Sequence, residues 1–214
     1  MNSAHEETGN ALSYARDKQV RCWLREARIE RHELPSNGVI RRLPSRDAWA
    51  RLWEARMHEP VAPTPKRLLP VSNVAPGAIP THADLGLPSD ARAAALQHGG
   101  ETQAHAVLNS FFEERGQWYR GGISSPLTAQ TACSRLSPYL AWGNLSSKQV
   151  VQATRQQIAA APPRWAKSLS AFESRMHWRC HFIQKLEDEP AIEMQNFVRA
   201  YDGLREAEFN AAHF

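Results

Sequence analysis

The chain has 214 residues, 42% of them hydrophobic, and a formal net charge of +4, enough for one sizeable core or for one large unit and one small one. No apolar run approaches the roughly 20 residues that a membrane-spanning helix needs, and the opening MNSAHEETGN has no apolar signal core behind a basic start. Three widely spaced cysteines, Cys22, Cys133 and Cys180, argue for reduced thiols rather than a disulfide framework, and so for a cytoplasmic setting. The charge is unevenly distributed. Residues 132–186 carry 8 Lys/Arg against 1 Asp/Glu, whereas residues 187–214 carry 2 against 7. A basic stretch of this kind is either a solvated face or a surface for a polyanion.

In chain order, Val20, Trp23, Leu24 and Ala27 fall at helical spacing, and IERHEL follows as a strand candidate. PSNG reads as a turn and Ser45 as an N-cap. The next helix, RDAWARLWEARM, directs Ala48, Trp49, Leu52, Trp53 and Met57 to one face. One strand alone leaves its backbone groups unpaired. Residues 1–57 therefore predict the end of an α/β unit. Residues 58–98 hold seven of the fourteen prolines, which predicts an extended interdomain linker.

Residues 99–214 predict helices. Ala104, Val107, Leu108, Phe111 and Phe112 form an apolar stripe, with a stop expected at Gly116 and a Gly/Ser/Pro loop over Gly121–Thr128. Ser137 and Pro138 read as N-cap and N1 of a short helix. Ser146 and Gln149 have capping-box spacing. Pro162-Pro163 breaks that helix, and another runs from SLSAF to about Asp188. A last helical stretch is expected over EMQNFVRAYDGLREAEFN, interrupted at Gly203.

Two stretches carry chemistry. In ACSRLSPYLAWG, a helix start supplies free N–H groups, Ser134 and Ser137 supply hydroxyls and Arg135 a fixed cation, a set that suits a phosphate or diphosphate. An ordinary cap with a surface arginine accounts for the same residues. In RMHWRCHF, Arg175 and Arg179 lie one turn apart beside Trp178, a pattern for stacking a base between phosphate contacts, or else a core tryptophan with two solvated arginines. Glu173, His177 and His181 share a helical spacing that can hold a metal but lack a full ligand motif, and no metal is expected.

The order of these motifs resembles the DNA photolyase and cryptochrome family of blue-light flavoproteins. HEETGNALSYARDKQVRCWL resembles the last helix of the family's α/β antenna domain, and HELPSNGVIRRLPSRDAWARLWEARM the passage out of it. GGETQAHAVLNSFF resembles the first helix of the flavin domain, CSRLSPYLAWGNLS its flavin-phosphate motif, and HWRCHF the helix bearing the Trp-Arg pair at the lesion pocket. The resemblance implies a mostly α fold: the remnant of a Rossmann-like antenna domain (1–57), a Pro-rich linker (58–98) and the first half of a helical FAD-binding domain (99–214). It implies FAD as cofactor, damaged DNA with pyrimidine dimers as partner, a monomer in the full-length form, and light-driven dimer repair as the parent activity.

Carried over residue by residue, Cys133, Ser134, Arg135, Leu136 and Ser137 fall on the FAD phosphate side, with Tyr119 and Phe172 near the flavin. Arg175, Trp178 and Arg179 fall on the lesion and its backbone. Cys133 replaces a common threonine, exchanging a hydroxyl donor for a weak thiol. Arg175 stands where cyclobutane-dimer photolyases carry a lesion-bonding glutamate, and a guanidinium accepts no hydrogen bond. That departure keeps a cryptochrome-type photoreceptor as the alternative. The family's further segments on both sides imply a truncated product, which by itself is expected neither to hold FAD tightly nor to repair DNA.

Overall fold

The computed structural model describes residues 2–36, 38–69, 73, 75, 77–87 and 96–204. Asn2–His5 (β1) and Arg31–Leu34 (β2) pair in parallel, Asn2 opposite Arg31 through His5 opposite Leu34, joined by helix α1 (Ala11–Glu26). The sequence reading found β2 but not β1, because a four-residue polar strand has no apolar alternation to betray it. The strand pair also answers the need that a lone strand would have left open. The Asn10 side chain caps α1 by accepting from the Ser13 N–H at 3.0 Å, and Arg28, at φ +55°, turns the chain out of the helix in the left-handed conformation. Of the expected apolar face only Leu24 is buried, while Val20 and Trp23 remain exposed.

Helix α2 (Trp49–His58) follows a 3-10 turn at Arg46–Ala48, which Ser45 caps as expected. It buries Trp49, Trp53 and Met57, and these join one core with the helices that follow. The described residues between 59 and 98 form turns and irregular chain, with a hydrogen-bonded turn from Thr81 to Leu87. Pro70, Pro76 and Pro88 lie outside the described residues.

Helix α3 (Glu101–Ser110) buries Ala104 and Leu108, and the stripe continues through Phe111 and Phe112. Gly116 does not stop the chain. A π-helical turn (Phe111–Arg115) and a 3-10 turn (Gly116–Trp118) lead directly into α4 (Tyr119–Gly122). Gly116 is there for closeness: a Cβ would stand 2.8 Å from the Phe111 carbonyl and 3.0 Å from Leu169 Cδ2. The loop expected over Gly121–Thr128 is shorter, because Ser125 and Pro126 open α5 (Pro126–Ala132) with the cap-and-proline chemistry read at Ser137.

Helix α6 (Ser137–Ala141) begins at Ser137, which makes no capping bond, so the expected N-cap there is one residue late. Helix α7 (Ser147–Ala160) has the full Ser146/Gln149 capping box. Helix α8 (Pro163–Asp188) is the longest at 26 residues and buries Leu169, Phe172, Met176, Cys180 and Gln184 in a row. Beyond it, described residues to 204 form only 3-10 turns at Pro190–Glu193 and Arg199–Tyr201, not the expected helix. The rest of that stretch, 205–210, lies outside the described residues.

Fully buried Gln184 joins the two ends of the fold. Its Oε1 accepts from the Ile40 N–H at 2.7 Å, and its Nε2 donates to the Ile40 carbonyl at 2.9 Å and to Asp188 at 2.6 Å. Trp49 Nε1 donates to the Gly38 carbonyl and Arg56 to the Val39 carbonyl, so side chains of α2 and α8 satisfy a strip of irregular backbone. Tyr14 on α1 donates to Glu187 at 2.8 Å beside the Arg41 guanidinium. Gln184→Leu would orphan both polar groups of Ile40 at little cost in volume. It is expected to lower stability by about 2 kcal/mol, read from the urea midpoint, and Gln184→Glu, which sets a carboxylate oxygen against the Ile40 carbonyl and Asp188, should also destabilise.

Candidate functional site

The π-helical turn after α3 is wider than an α-turn, and it brings Arg115 round to face the loop between α5 and α6. Arg115 donates to the carbonyls of Val107, Cys133 and Ser134 at 3.2, 3.2 and 3.3 Å and to the Ser110 hydroxyl at 2.8 Å. Burial lowers its pKa, with Glu114 opposing and Arg135 adding to the effect. The loop's Cys133 and Ser134 carbonyls are thus turned toward one guanidinium, and its Arg135 carbonyl accepts from Gln97 Nε2.

Its N–H groups are not. Among the described residues, the amides of Ser134, Arg135 and Leu136 have no hydrogen-bond acceptor. Arg135 sits at φ +59° and Leu136 in the right-handed region, a left-then-right sequence that points successive N–H groups into one concavity, the arrangement known as an anion nest. Ser134 is half-buried, Arg135 and Ser137 are exposed, Leu136 is buried and Cys133 is half-buried. Three free amides with the hydroxyls of Ser134 and Ser137 beside them suit a diphosphate by chemistry, so the residues present fit the phosphate portion of FAD.

Tyr119 links this turn to α8. Its ring packs edge-on against Phe172 at 5.4 Å and Phe111 at 5.7 Å, and Phe111 meets Phe172 at 4.8 Å. Burial raises the Tyr119 pKa, the Cys133 thiol raises it further and the Arg175 guanidinium opposes. Tyr119 thus touches Phe172 and lies within electrostatic reach of Cys133 and Arg175, residues that the chain separates by up to fifty-six positions.

On α8, the exposed Arg175 guanidinium lies 4.6 Å from the Trp178 ring centroid, and Trp178 is half exposed, edge-on to Phe182 at 6.1 Å. Arg179 leans inward instead, within 3.4 Å of the Ser147 hydroxyl and the Leu140 carbonyl. A cavity of about 540 Å³ between α4 and α5 has Arg115 in its wall, and another of about 580 Å³ opens between α4 and the start of α8. Neither is lined by residues 133–137 or by Trp178.

The histidines of α8 have structural partners. His177 packs against Trp49 and Trp53, both at 4.7 Å, and His181 lies 3.0 Å from Arg46. Glu173 is held by Arg155 at 2.7 Å. Arg115 is the residue that sequence reasoning missed. Its only signal is a lone cation at the end of a strongly apolar helix face, which does not reveal what it faces.

No family model matches the chain. Over 156 residues it is 27% identical to a deoxyribodipyrimidine photo-lyase of Halobacterium salinarum, a match covering 71% of this chain and 32% of that protein. It is 38% identical over 96 residues to a cryptochrome DASH of Gloeobacter violaceus, covering 42% of this chain and 19% of that protein. The solved structure of a bacterial class III photolyase from Agrobacterium tumefaciens matches with a TM-score of 0.74 at 21% identity, over 99% of this chain and 45% of that one. The fold is that of part of a photolyase, and the resemblance read from the sequence is borne out by these matches. The chain spans about a third of the length of the first curated relative and less than half of the solved structure. No helix among the described residues is long and apolar enough to cross a membrane.

Burial lowers the pKa of His177 and, with Arg46, Lys185 and His177 adding, that of His181. The unfolded chain therefore takes up protons first as pH falls below the ordinary histidine value, about 6.5, and folding stability falls with it. Denaturant midpoints should decline from pH 7.5 to pH 5.5, and His177→Phe should flatten that decline.

Proposed function

We propose that the chain is the phosphate-holding and DNA-facing part of a photolyase-type flavoprotein. The observation that supports this reading is that α4, which bears Tyr119, packs both against α5, the helix leading into the 133–137 turn, and against α8, where the Tyr119 ring meets Phe172 one turn before Arg175. In this reading, the amides of Ser134, Arg135 and Leu136 and the hydroxyls of Ser134 and Ser137 receive the FAD diphosphate. Arg115, holding the carbonyls of Cys133 and Ser134, keeps acceptor oxygens away from those anionic groups. Cys133, Tyr119 and Phe172 form the wall on the flavin side and exclude water from it. Bound FAD, in its reduced form, supplies the light-driven electron that splits a pyrimidine dimer in this family.

The lesion side follows the same logic. A base turned out of the duplex presents a flat face, and Trp178 offers a half-exposed indole with Arg175 stacked over it. Arg179, leaning toward α6 and α7, positions the edge of that face. Arg175 brings a cation where a lesion-bonding carboxylate is the cyclobutane-type pattern, so its contact is with phosphate or a π-face rather than with a base N–H. A photoreceptor role has less support, because the archaeal relative and the solved structure both carry the photolyase name.

Two measurements test this. Titrated into the full chain, FAD should bind weakly and ADP should compete with it, while riboflavin, which has no diphosphate, should bind at least tenfold more weakly still. Arg115→Ala should weaken FAD by a similar factor. Riboflavin binding as well as FAD would refute the diphosphate cradle. Separately, an oligonucleotide bearing a cyclobutane dimer should bind more tightly than its undamaged counterpart, and Trp178→Ala should remove most of that preference, a loss of about 1–3 kcal/mol.

A further inference from the structure

The exposed face of α8 is chemically uniform. At about 100° per residue, Arg164, Lys167, Arg175, Trp178, Phe182 and Lys185 fall within a stripe some 80° wide, and every one of them is exposed or half-exposed. No acid shares that stripe: Glu173 lies on another side, paired with Arg155, and Glu187 and Asp188 are at the far end. Cations along the stripe sit over aromatic rings. Arg164 lies 4.9 Å from the Trp118 centroid, Arg175 lies 4.6 Å from Trp178, and Lys185 lies 4.7 Å from Phe197.

At the start of this stripe lies the cavity of about 580 Å³ between α4 and α8, which the functions proposed above do not use. Its walls include Trp118, Arg120, Pro163, Arg164, Lys167 and Ser168. Trp118 is 52% exposed, with the Arg164 guanidinium over one side of its ring. Among the described residues, Arg120, Arg164 and Lys167 form no ion pair with a carboxylate. The floor is fixed, because the buried Ser168 hydroxyl accepts the Arg120 N–H at 2.9 Å. Three unneutralised cations around a half-exposed indole, on a fixed floor, match a nucleotide: a base for the ring and a phosphate for the charges.

We propose that this cavity is a second nucleotide site, which takes a base from the strand flanking the one presented to Trp178. The base stacks on Trp118, and its phosphates are held by Arg120, Arg164 and Lys167. This rests on the DNA-facing reading of Trp178 and deepens it. The 14 residues from Arg164 to Trp178 rise about 21 Å along the helix, a span that a short single-stranded segment covers.

The test is fluorescence anisotropy on the full chain with a labelled eight-nucleotide and a labelled three-nucleotide single-stranded DNA, at several salt concentrations, with free AMP as a third probe. The longer strand should bind at least tenfold more tightly than the shorter. Trp118→Ala should remove most of that gain, and Lys167→Gln should reduce the salt slope by about one; circular dichroism confirms that both variants fold. Photocrosslinking of a 5-iodouracil-bearing strand should label Trp118. If Trp178→Ala weakens the longer strand while Trp118→Ala and Lys167→Gln leave it unchanged, the cavity plays no part and the proposal is overturned, although the DNA-facing reading stands. AMP binding as tightly as the longer strand would identify a free-nucleotide site and overturn the strand path. If neither strand binds at low salt, both readings fall together.

Discussion

The row Leu169, Phe172, Met176, Cys180 and Gln184 along α8 is the constraint on which the rest of this structure depends. Spacing of three and then four residues keeps these side chains on one side of the helix, and the other elements pack onto that side. The aromatic group of Phe111 and Tyr119 closes on Phe172. The histidine of the next turn supports Trp49 and Trp53, and Gln184 ends the row by gripping Ile40. An apolar row with one amide at its end does two things: the hydrophobic positions supply burial, and the amide fixes which segment lies against them.

That arrangement explains how a loop of modest regularity becomes ordered. The 133–137 turn has no side-chain cap and one non-glycine residue at positive φ, features that cost energy on their own. It is held from behind by Arg115, which reaches it only because α3 widens into a π-helical turn instead of ending. Leu136 anchors the same turn in the core. Backbone strain, a half-buried guanidinium and a buried leucine act together, with the free N–H groups as the outcome.

Much of the helical organisation was legible beforehand, for physical reasons that also mark the limits. The stripe Ala104 to Phe112 and the Ser146 capping box are local codes written within a few residues, and both appear as read. Strand β1 was invisible because its stability comes from pairing with β2 twenty-nine positions on, not from its own pattern. Gly116 misled because glycine marks both a helix end and a close approach, and only the position of Leu169 separates the two. For the site, residue types at the turn and on α8 could be named, but that α4 brings Tyr119 onto Phe172 while packing against α5 is a tertiary fact. Arg115 belongs to the same category: its meaning resides wholly in the carbonyls it meets.

The two sides of α8 answer to different demands. Its inner row admits few replacements, since each side chain there is enclosed by several others. Its outer stripe of cations and rings touches little of the interior, so substitutions there are nearly independent of folding. A lineage can accordingly exchange Arg175, Lys167 or Lys185 and drift toward new targets while the scaffold stays intact, which makes this helix a ready point of diversification.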